Sequence, residues 1–236
     1  MIRDVGVTVA LREFLPEWLV PVFTVLSLPG DLFIIVPLMG LLYLSSVIRS
    51  VREPKPNRPL CSPATASLIA IIFGGLALIV LLESLFGSPR PPDQLMSVEA
   101  SKYAFPSGHS MAATIVWSGL VLWTNRWRRY VSVLSISVIV LVGISRLALG
   151  VHYLPDVLAG VVFGLLYTTI AWRQLESYPA RAFTVSLVIA LLAVGATAGS
   201  SRALLAFVGT FGAAFGWFII ESPPVRTRIL MLVSIR

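Results

Sequence analysis

The sequence is poor in charged residues and has almost no cysteine or histidine. Charged side chains make up 12% of its 236 residues, whereas a soluble domain has roughly 25%. The single cysteine, Cys61, excludes an internal disulfide and a multi-cysteine metal site. Hydrophobic residues make up 57% of the chain, and its mean hydropathy is +0.89. These values predict an integral membrane protein.

The net charge of +7 does not indicate a nucleic-acid partner. The basic residues lie between apolar runs instead of forming a continuous basic patch, which is the usual feature of a nucleic-acid-binding surface. The bilayer is therefore the expected environment of the chain, and we expect no nucleic acid to bind.

Seven apolar runs approach the length of about 20 residues that a membrane-spanning helix needs. They predict an all-α, polytopic helical bundle with spans at residues 31–49, 64–86, 108–124, 130–147, 154–172, 181–199 and 202–220. Prolines and charged residues interrupt residues 1–30, which we interpret as an amphipathic helix at the membrane interface followed by a short second helix.

The basic residues are unequally divided between the two sides of this bundle. Counted over seven crossings, twelve lie on one side and six on the other. Because cytoplasmic loops carry an excess of lysine and arginine, the side with twelve is predicted to face the cytoplasm. The chain would then be a multi-pass protein of the cell membrane with its N-terminus outside.

Three polar clusters occur at the ends of apolar runs, all on the predicted outer side. They are Ser88-Pro89-Arg90-Pro91, Pro106-Ser107-Gly108-His109, and Ser145-Arg146 followed by His152 and Asp156. Ionisable residues at membrane depth usually mark a functional site. Four helix ends would contribute to a single site, because they all lie on one face.

The residue types in these clusters suit phosphate chemistry. His152 and Asp156 are four residues apart, so on a helix the carboxylate can orient the imidazole and leave its other nitrogen as a nucleophile. The helix start at Gly108 offers N–H groups to an anion, and guanidinium groups bind phosphate in bidentate fashion. Each residue also has a plainer explanation, such as an N-cap for Ser107 or an interfacial charge for Arg146.

Together the clusters resemble the type 2 phosphatidic acid phosphatase (PAP2) superfamily. Its pattern reads Lys, six residues, Arg-Pro; then Pro-Ser-Gly-His; then Ser-Arg, five residues, His, three residues, Asp. The second and third pieces occur here with their spacings intact. The resemblance implies a six-helix phosphatase core at 31–199, with residues 1–30 as the interfacial segment and 200–236 as an extra span and cytoplasmic tail.

The resemblance also implies a mechanism without metal or other cofactor. His152 would attack phosphorus and form a phosphohistidine, with Asp156 orienting it, and His109 would protonate the leaving oxygen. The phosphate oxygens would be held by Arg90, Ser107, the Gly108 N–H and Arg146.

The first piece departs from the family pattern, because Glu83 stands where the resemblance predicts lysine. An anion there would repel phosphate by about 4 kcal/mol at 4 Å and an effective dielectric of 20. We expect Glu83 to lie beside the phosphate pocket and to pair with Arg90 or Lys102, and Lys102 is a candidate for the missing cation. Alternatively, Glu83 faces a water-filled cavity and has little effect.

The expected function is hydrolysis of a lipid phosphate or diphosphate, of the polyprenyl diphosphate, phosphatidic acid or phosphatidylglycerophosphate class. Two alternatives stay open. A phosphotransferase would pass the group to an acceptor hydroxyl, and a lipid-phosphate binding or transport protein would keep the polar site for recognition alone.

Overall fold

The computed structural model describes residues 6–53, 59–124 and 127–234, with only the backbone of residues 232–234. Within these residues the chain is all α-helical, apart from short 3-10 turns and loops. The helices are α1 Gly6–Phe14, α2 Val20–Ser27, α3 Leu32–Arg52, α4 Pro63–Phe86, α5 Gly108–Trp123, α6 Arg128–Ala148, α7 Leu154–Leu175, α8 Pro179–Ala196, α9 Ser201–Glu221 and α10 Pro223–Ser234.

The predicted all-α bundle is confirmed, and each of the seven apolar runs coincides with one of the helices α3 to α9. Local signals set several helix ends. Asp31 caps α3 by accepting from the Phe33 N–H at 2.9 Å, Ser62 caps α4, and Gly87 ends α4 in the left-handed region at φ 56°, which glycine adopts readily.

One of the seven predicted spans is shorter than expected. By length and apolar composition, six segments of the described residues can cross a membrane: Glu17–Arg52, Pro63–Phe86, Arg128–Ala148, Leu154–Leu175, Pro179–Ala196 and Ser201–Glu221. Helix α5 has 16 residues and is not among them. It packs against α4, α6 and α7, so protein instead of lipid surrounds much of it.

Helix α4 is the centre of the bundle. It is apolar on all sides and packs against α5, α7, α8 and α9, as expected for a helix that is hydrophobic all round. Two hydroxyls bind its backbone: Tyr167 of α7 donates to the Ile71 carbonyl at 2.8 Å, and Ser186 of α8 donates to the Ala70 carbonyl at 2.6 Å. These hydrogen bonds tie the first half of α4 to α7 and α8.

Glycines of α7 allow α5 to approach closely. A Cβ atom at Gly160 would be 2.7 Å from the Ser107 carbonyl oxygen, and one at Gly164 would be 2.8 Å from Thr114 Cβ. Small residues commonly form helix interfaces in membranes. This packing brings the start of α5 next to the start of α7, and the Ser107 N–H donates to the Asp156 carbonyl at 2.9 Å.

The predicted extra span is α9, which runs antiparallel to α4 and contacts it near both ends. Arg202, in the first turn of α9, forms an ion pair with Glu83, near the end of α4. At the other end, the Glu221 carboxylate accepts from the N–H groups of Leu60 and Cys61 at 3.1 and 2.6 Å. These contacts hold α9 along the whole of α4.

The N-terminal segment contains the two helices expected there, α1 and α2, which pack against α6. Thr8 of α1 donates its hydroxyl to the His152 carbonyl at 3.1 Å, so α1 contacts the loop before α7. Residues 1–5 and 235–236 of the predicted terminal segments lie outside the described residues. The interfacial position of residues 1–30 and the division at residues 30 and 199 stay predictions.

Candidate active site

The polar clusters meet in a cavity of about 490 Å³ at one end of the bundle. Its ionisable lining residues are Asp31, Glu83, Arg90, Glu99, His109, Arg146, His152 and Arg202, and the Gly108 backbone also lines it. The structure thus brings together most of the site residues predicted from the sequence. Ser107 and Asp156 lie directly behind this surface, fully buried.

His152 lies in the loop between α6 and α7, with 1% of its surface exposed. Its Nε2 atom is 3.1 Å from Arg90 Nη1, and its Nδ1 atom is 3.8 Å from Asp156 Oδ2. A guanidinium group can only donate, so Nε2 accepts and the ring proton lies on Nδ1, facing the carboxylate. This tautomer places a lone pair on Nε2, as a nucleophile requires.

The environment of His152 keeps the imidazole neutral. Burial lowers its pKa to about 3, and the positive charges of Arg90 and Arg146 act in the same direction. The interaction with Asp156 opposes the shift without overcoming it. The ring is therefore neutral at neutral pH, with its single ring proton on Nδ1.

Asp156 links the starts of two helices. Its Oδ2 atom accepts from the Tyr153 N–H at 3.0 Å, which closes the first turn of α7. Its own carbonyl accepts from the Ser107 N–H at 2.9 Å, at the start of α5. The carboxylate that faces His152 is thus fixed by backbone contacts on both sides.

Three hydrogen bonds to Ser101 and Val151 hold Arg90 in the loop after α4. Its Nε and Nη2 atoms donate to the carbonyl and the hydroxyl of Ser101, the latter at 2.8 Å, and its Nη1 atom donates to the Val151 carbonyl at 2.7 Å. These contacts direct the guanidinium toward His152 before any ligand binds.

Arg146, in the last turn of α6, is 5% exposed and lines the cavity. Its Nε atom is buried and has no hydrogen-bond partner among the described residues. A buried, unsatisfied donor on a permanent cation is costly unless an anion occupies the site. This observation indicates an anion-binding position between α6 and the loop before α7.

His109 and the start of α5 form the opposite wall. The His109 Nε2 atom is 3.6 Å from Asp31 Oδ2 at the start of α3, and about a third of each side chain is exposed. The Ser107 and Ser110 hydroxyls are 3.0 Å apart. A Cβ atom at position 108 would be 2.7 Å from Glu83 Oε1, so glycine allows the Glu83 carboxylate to approach the helix start.

Glu83 has a different partner from the one expected. It is 2% exposed and forms an ion pair with Arg202 of α9, so the prediction of a pair with Arg90 or Lys102 is wrong. The loop after Gly87 directs Arg90 toward Ser101 and Val151 instead. Lys102 is exposed, and its Nζ atom lies 5.3 Å from the centre of the Tyr103 ring, outside the cavity lining.

Comparison with known proteins identifies the family. The family model described as the PAP2 superfamily matches residues 64–179, which include Glu83, Arg90 and the two histidine clusters. Residues 64–179 belong to the PAP2 superfamily, and they include every motif of the predicted site. The resemblance inferred from the motifs is thereby confirmed.

Two curated relatives match parts of the chain. Phosphatidylglycerophosphatase B of Bacillus subtilis is 39% identical over 82 residues, covering 32% of this chain and 40% of that protein. Undecaprenyl-diphosphatase of Sulfolobus acidocaldarius is 31% identical over 97 residues, covering 41% of this chain and 46% of that protein. The chain thus spans less than half the length of either relative.

A solved structure resembles more of the chain. It is a transmembrane PAP2 type phosphatidylglycerolphosphate phosphatase from Bacillus subtilis, 27% identical, with a TM-score of 0.60. The match covers 74% of this chain and 85% of that one. The helical fold is therefore shared with a membrane member of the PAP2 superfamily.

The motif analysis missed three ionisable residues of the cavity, Asp31, Glu99 and Arg202. None belongs to a PAP2 motif, and Asp31 and Arg202 also lie outside the matched residues 64–179. One sequence signal could have found Asp31 and Arg202: both stand at the beginning of apolar runs that start on the same predicted side as the motifs. The number of membrane crossings that separates Asp31 and Arg202 from the motifs therefore placed both residues at the correct end of the bundle. It gave no information on the distances between them.

Proposed function

We propose that this PAP2 protein hydrolyses a lipid phosphate or diphosphate in the described cavity. The observation that carries the proposal is the division of the cavity into a cationic end beside His152 and an apolar wall. The wall consists of Leu32, Val36, Phe73, Leu76, Ile79, Val80, Ala112, Leu205, Ala206 and Gly209. A lipid phosphate has the same two parts, a charged head and an apolar tail.

In the first step, His152 Nε2 attacks phosphorus and the bond from phosphorus to the lipid oxygen breaks. His109 donates a proton to that oxygen, which leaves as an alcohol or, for a diphosphate, as a lipid monophosphate. Arg90, 3.1 Å from Nε2 in the resting site, turns its donor toward a phosphate oxygen. The charge that develops on the His152 ring is stabilised by Asp156.

In the second step, water attacks the phosphohistidine and gives a proton to His109. Inorganic phosphate leaves and His152 returns to its neutral state. Throughout, Arg90, Ser107, the Gly108 N–H and Arg146 hold the phosphate oxygens. These groups supply charge and orientation, which are the main requirements of phosphoryl transfer, so we propose that no metal ion takes part.

We further propose that the cavity opens on the extracytoplasmic side of the cell membrane. The support is the uneven distribution of basic residues, twelve on one side against six on the other. The ionisable residues of the cavity all lie near the helix ends on the side with six. A lipid head would then reach the site from the outer leaflet, with its tail along α4 and α9.

The test is a phosphate-release panel on the purified full chain in detergent, with EDTA present. Phosphatidic acid, phosphatidylglycerophosphate and a polyprenyl diphosphate are the substrates, and His152→Ala is the inactive control. We expect release from at least one lipid, and a loss of several powers of ten in His152→Ala.

Each alternative gives a different result. Saturable lipid binding without phosphate release would favour a binding or transport protein. A phosphorylated acceptor without free phosphate would favour a phosphotransferase. If folded His152→Ala keeps more than about a tenth of wild-type turnover, the nucleophile is wrongly assigned. Loss of activity with EDTA, restored by a divalent ion, would contradict the metal-free mechanism.

A further inference from the structure

The ion pair between Glu83 and Arg202 lies inside the cavity described above, not on the outer surface of the bundle. Both side chains line it, together with His109 and Arg146. Glu83 is almost completely buried, whereas 48% of the Arg202 side chain is exposed. The pair therefore has a fixed anionic partner and a more accessible cationic partner.

The position of Glu83 places this pair at the start of α5. Its Oε1 atom is so close to Gly108 that a Cβ atom there would lie at 2.7 Å, while its Oε2 atom contacts Arg202 Nη1. The N–H groups of that helix start are the ones expected to bind phosphate. Arg202 is consequently held within reach of the same anion.

Arg202 has N–H donors that its contact with Glu83 does not use. A guanidinium group carries five N–H donors in a planar fork, and the Glu83 contact runs through Nη1 alone. The remaining donors can bind a phosphate oxygen while the carboxylate keeps the side chain in place. A buried carboxylate without a cation would be strongly unfavourable, so the ion pair between Glu83 and Arg202 should persist when phosphate binds.

We propose, resting on the function proposed above, that Arg202 is a phosphate ligand of this enzyme and that Glu83 is the residue that positions it. Arg202 supplies the positive charge that is absent at position 83. The ligand comes from α9, outside residues 64–179 that match the PAP2 superfamily. The seventh predicted span is thus a part of the active site.

Removing the charges of Glu83 and Arg202 together distinguishes two roles of Arg202. It either contacts phosphate directly or only neutralises Glu83. In Arg202→Gln alone, Glu83 is left unpaired and repels phosphate, so a weaker affinity would have two causes. Glu83→Gln removes that repulsion, and the double variant Glu83→Gln with Arg202→Gln has neither charge. Comparing the double variant with Glu83→Gln therefore isolates the contribution of Arg202, and it avoids a buried unpaired carboxylate that could prevent folding.

The measurements are KM and kcat for a lipid phosphate that the wild type hydrolyses, and the inhibition constant of inorganic phosphate. We expect both KM and the inhibition constant to be about tenfold or more higher in the double variant than in Glu83→Gln, because a charge-assisted hydrogen bond is lost. In the Glu83→Gln background, Arg202→Lys should recover part of the affinity that Arg202→Gln loses. Arg173→Gln, an exposed arginine at the far end of α7, is the matched control and should change neither constant.

Equal constants in Glu83→Gln and the double variant would overturn the proposal, since Arg202 would then only neutralise Glu83. Failure of the proposed function gives a different pattern, in which the wild type releases no phosphate from any lipid. Stabilisation of Glu83→Gln against thermal unfolding by inorganic phosphate then decides the question. A smaller stabilisation in the double variant supports Arg202 as an anion ligand, and an equal or absent stabilisation in both overturns it.

Discussion

Asp156→Asn tests the electrostatic part of the proposed mechanism most directly, because it removes one buried charge with little change of shape. The Asp156 carboxylate is 3.8 Å from His152 Nδ1 and accepts a hydrogen bond from the Tyr153 N–H. An asparagine carbonyl oxygen can keep the second contact. The first turn of α7 should therefore persist, while the anion beside the imidazole is lost.

The expected size of the effect follows from that distance. When His152 attacks phosphorus, its ring gains a positive charge that Asp156 stabilises. Two unit charges 3.8 Å apart interact by about 4 kcal/mol at an effective dielectric of 20. A barrier raised by that amount corresponds to roughly a 1000-fold lower kcat. KM should change little, because His152 is neutral in the resting site and the carboxylate does not face the substrate.

The assay is phosphate release by Asp156→Asn at saturating lipid, with thermal unfolding measured on the same preparation. Stability should fall by about 1 kcal/mol or less, since the asparagine carbonyl oxygen can accept the same hydrogen bond from the Tyr153 N–H. Asp93→Asn, an exposed carboxylate in the loop between α4 and α5, is the matched control and should keep full activity. A folded Asp156→Asn enzyme with kcat within tenfold of wild type would refute the stabilising role of this carboxylate.

Two further predictions concern pH and topology. Because burial lowers the pKa of His152 to about 3, the unfolded chain binds a proton between about pH 6.5 and pH 3 that the folded chain does not. Stability should thus fall by about 3 kcal/mol from pH 7 to pH 4 through this group, and an equally steep fall in His152→Gln would contradict the assignment. A cysteine at Gln94 in a Cys61→Ser background should react with an impermeant thiol reagent in intact cells, and labelling only after lysis would overturn the outward orientation.

The helices could be predicted from the sequence because the bilayer restricts the choices so strongly. A run of apolar residues such as 64–86 can only satisfy its backbone in lipid as a helix, and α4 indeed covers residues 63–86. Helix α5 is the exception in length. It begins at Gly108 and has 16 residues, because neighbouring helices, not lipid, surround much of it.

The motif residues were predictable for a second reason: each stands at a helix end on one side. His152 lies in the loop just before α7 and Asp156 lies in its first turn, so the four residues between these positions largely fix their mutual position. Arg90 and Arg146 are further apart in sequence, but the number of crossings between them already placed both at the same end. The number of crossings gave no distance between them, and the PAP2 resemblance supplied the expectation that both bind one phosphate.

The partner of Glu83 could not be predicted in this way. Arg90 is seven residues from Glu83 and Arg202 is 119 away, so proximity in sequence favoured the wrong cation. The choice depends on how α9 docks along α4, which small residues such as Gly209 permit. A Cβ atom at Gly209 would lie 3.3 Å from the Phe73 ring. Shape complementarity between two helices produces no periodic pattern of residues, so a single sequence does not reveal it.

The phosphate end and the apolar wall of the cavity therefore depend on different features of the sequence. The phosphate end is built from short motifs whose spacing alone indicates the chemistry. Three of the ten residues of the apolar wall belong to α9, which is held beside α4 by Glu83 at one end and by Glu221 at the other. Changes in α9 would alter the space for a lipid tail without touching His152. A sequence of this family can thus indicate the reaction while leaving its lipid unspecified, because the apolar wall proposed for the tail includes Leu205 and Gly209, which lie outside every motif.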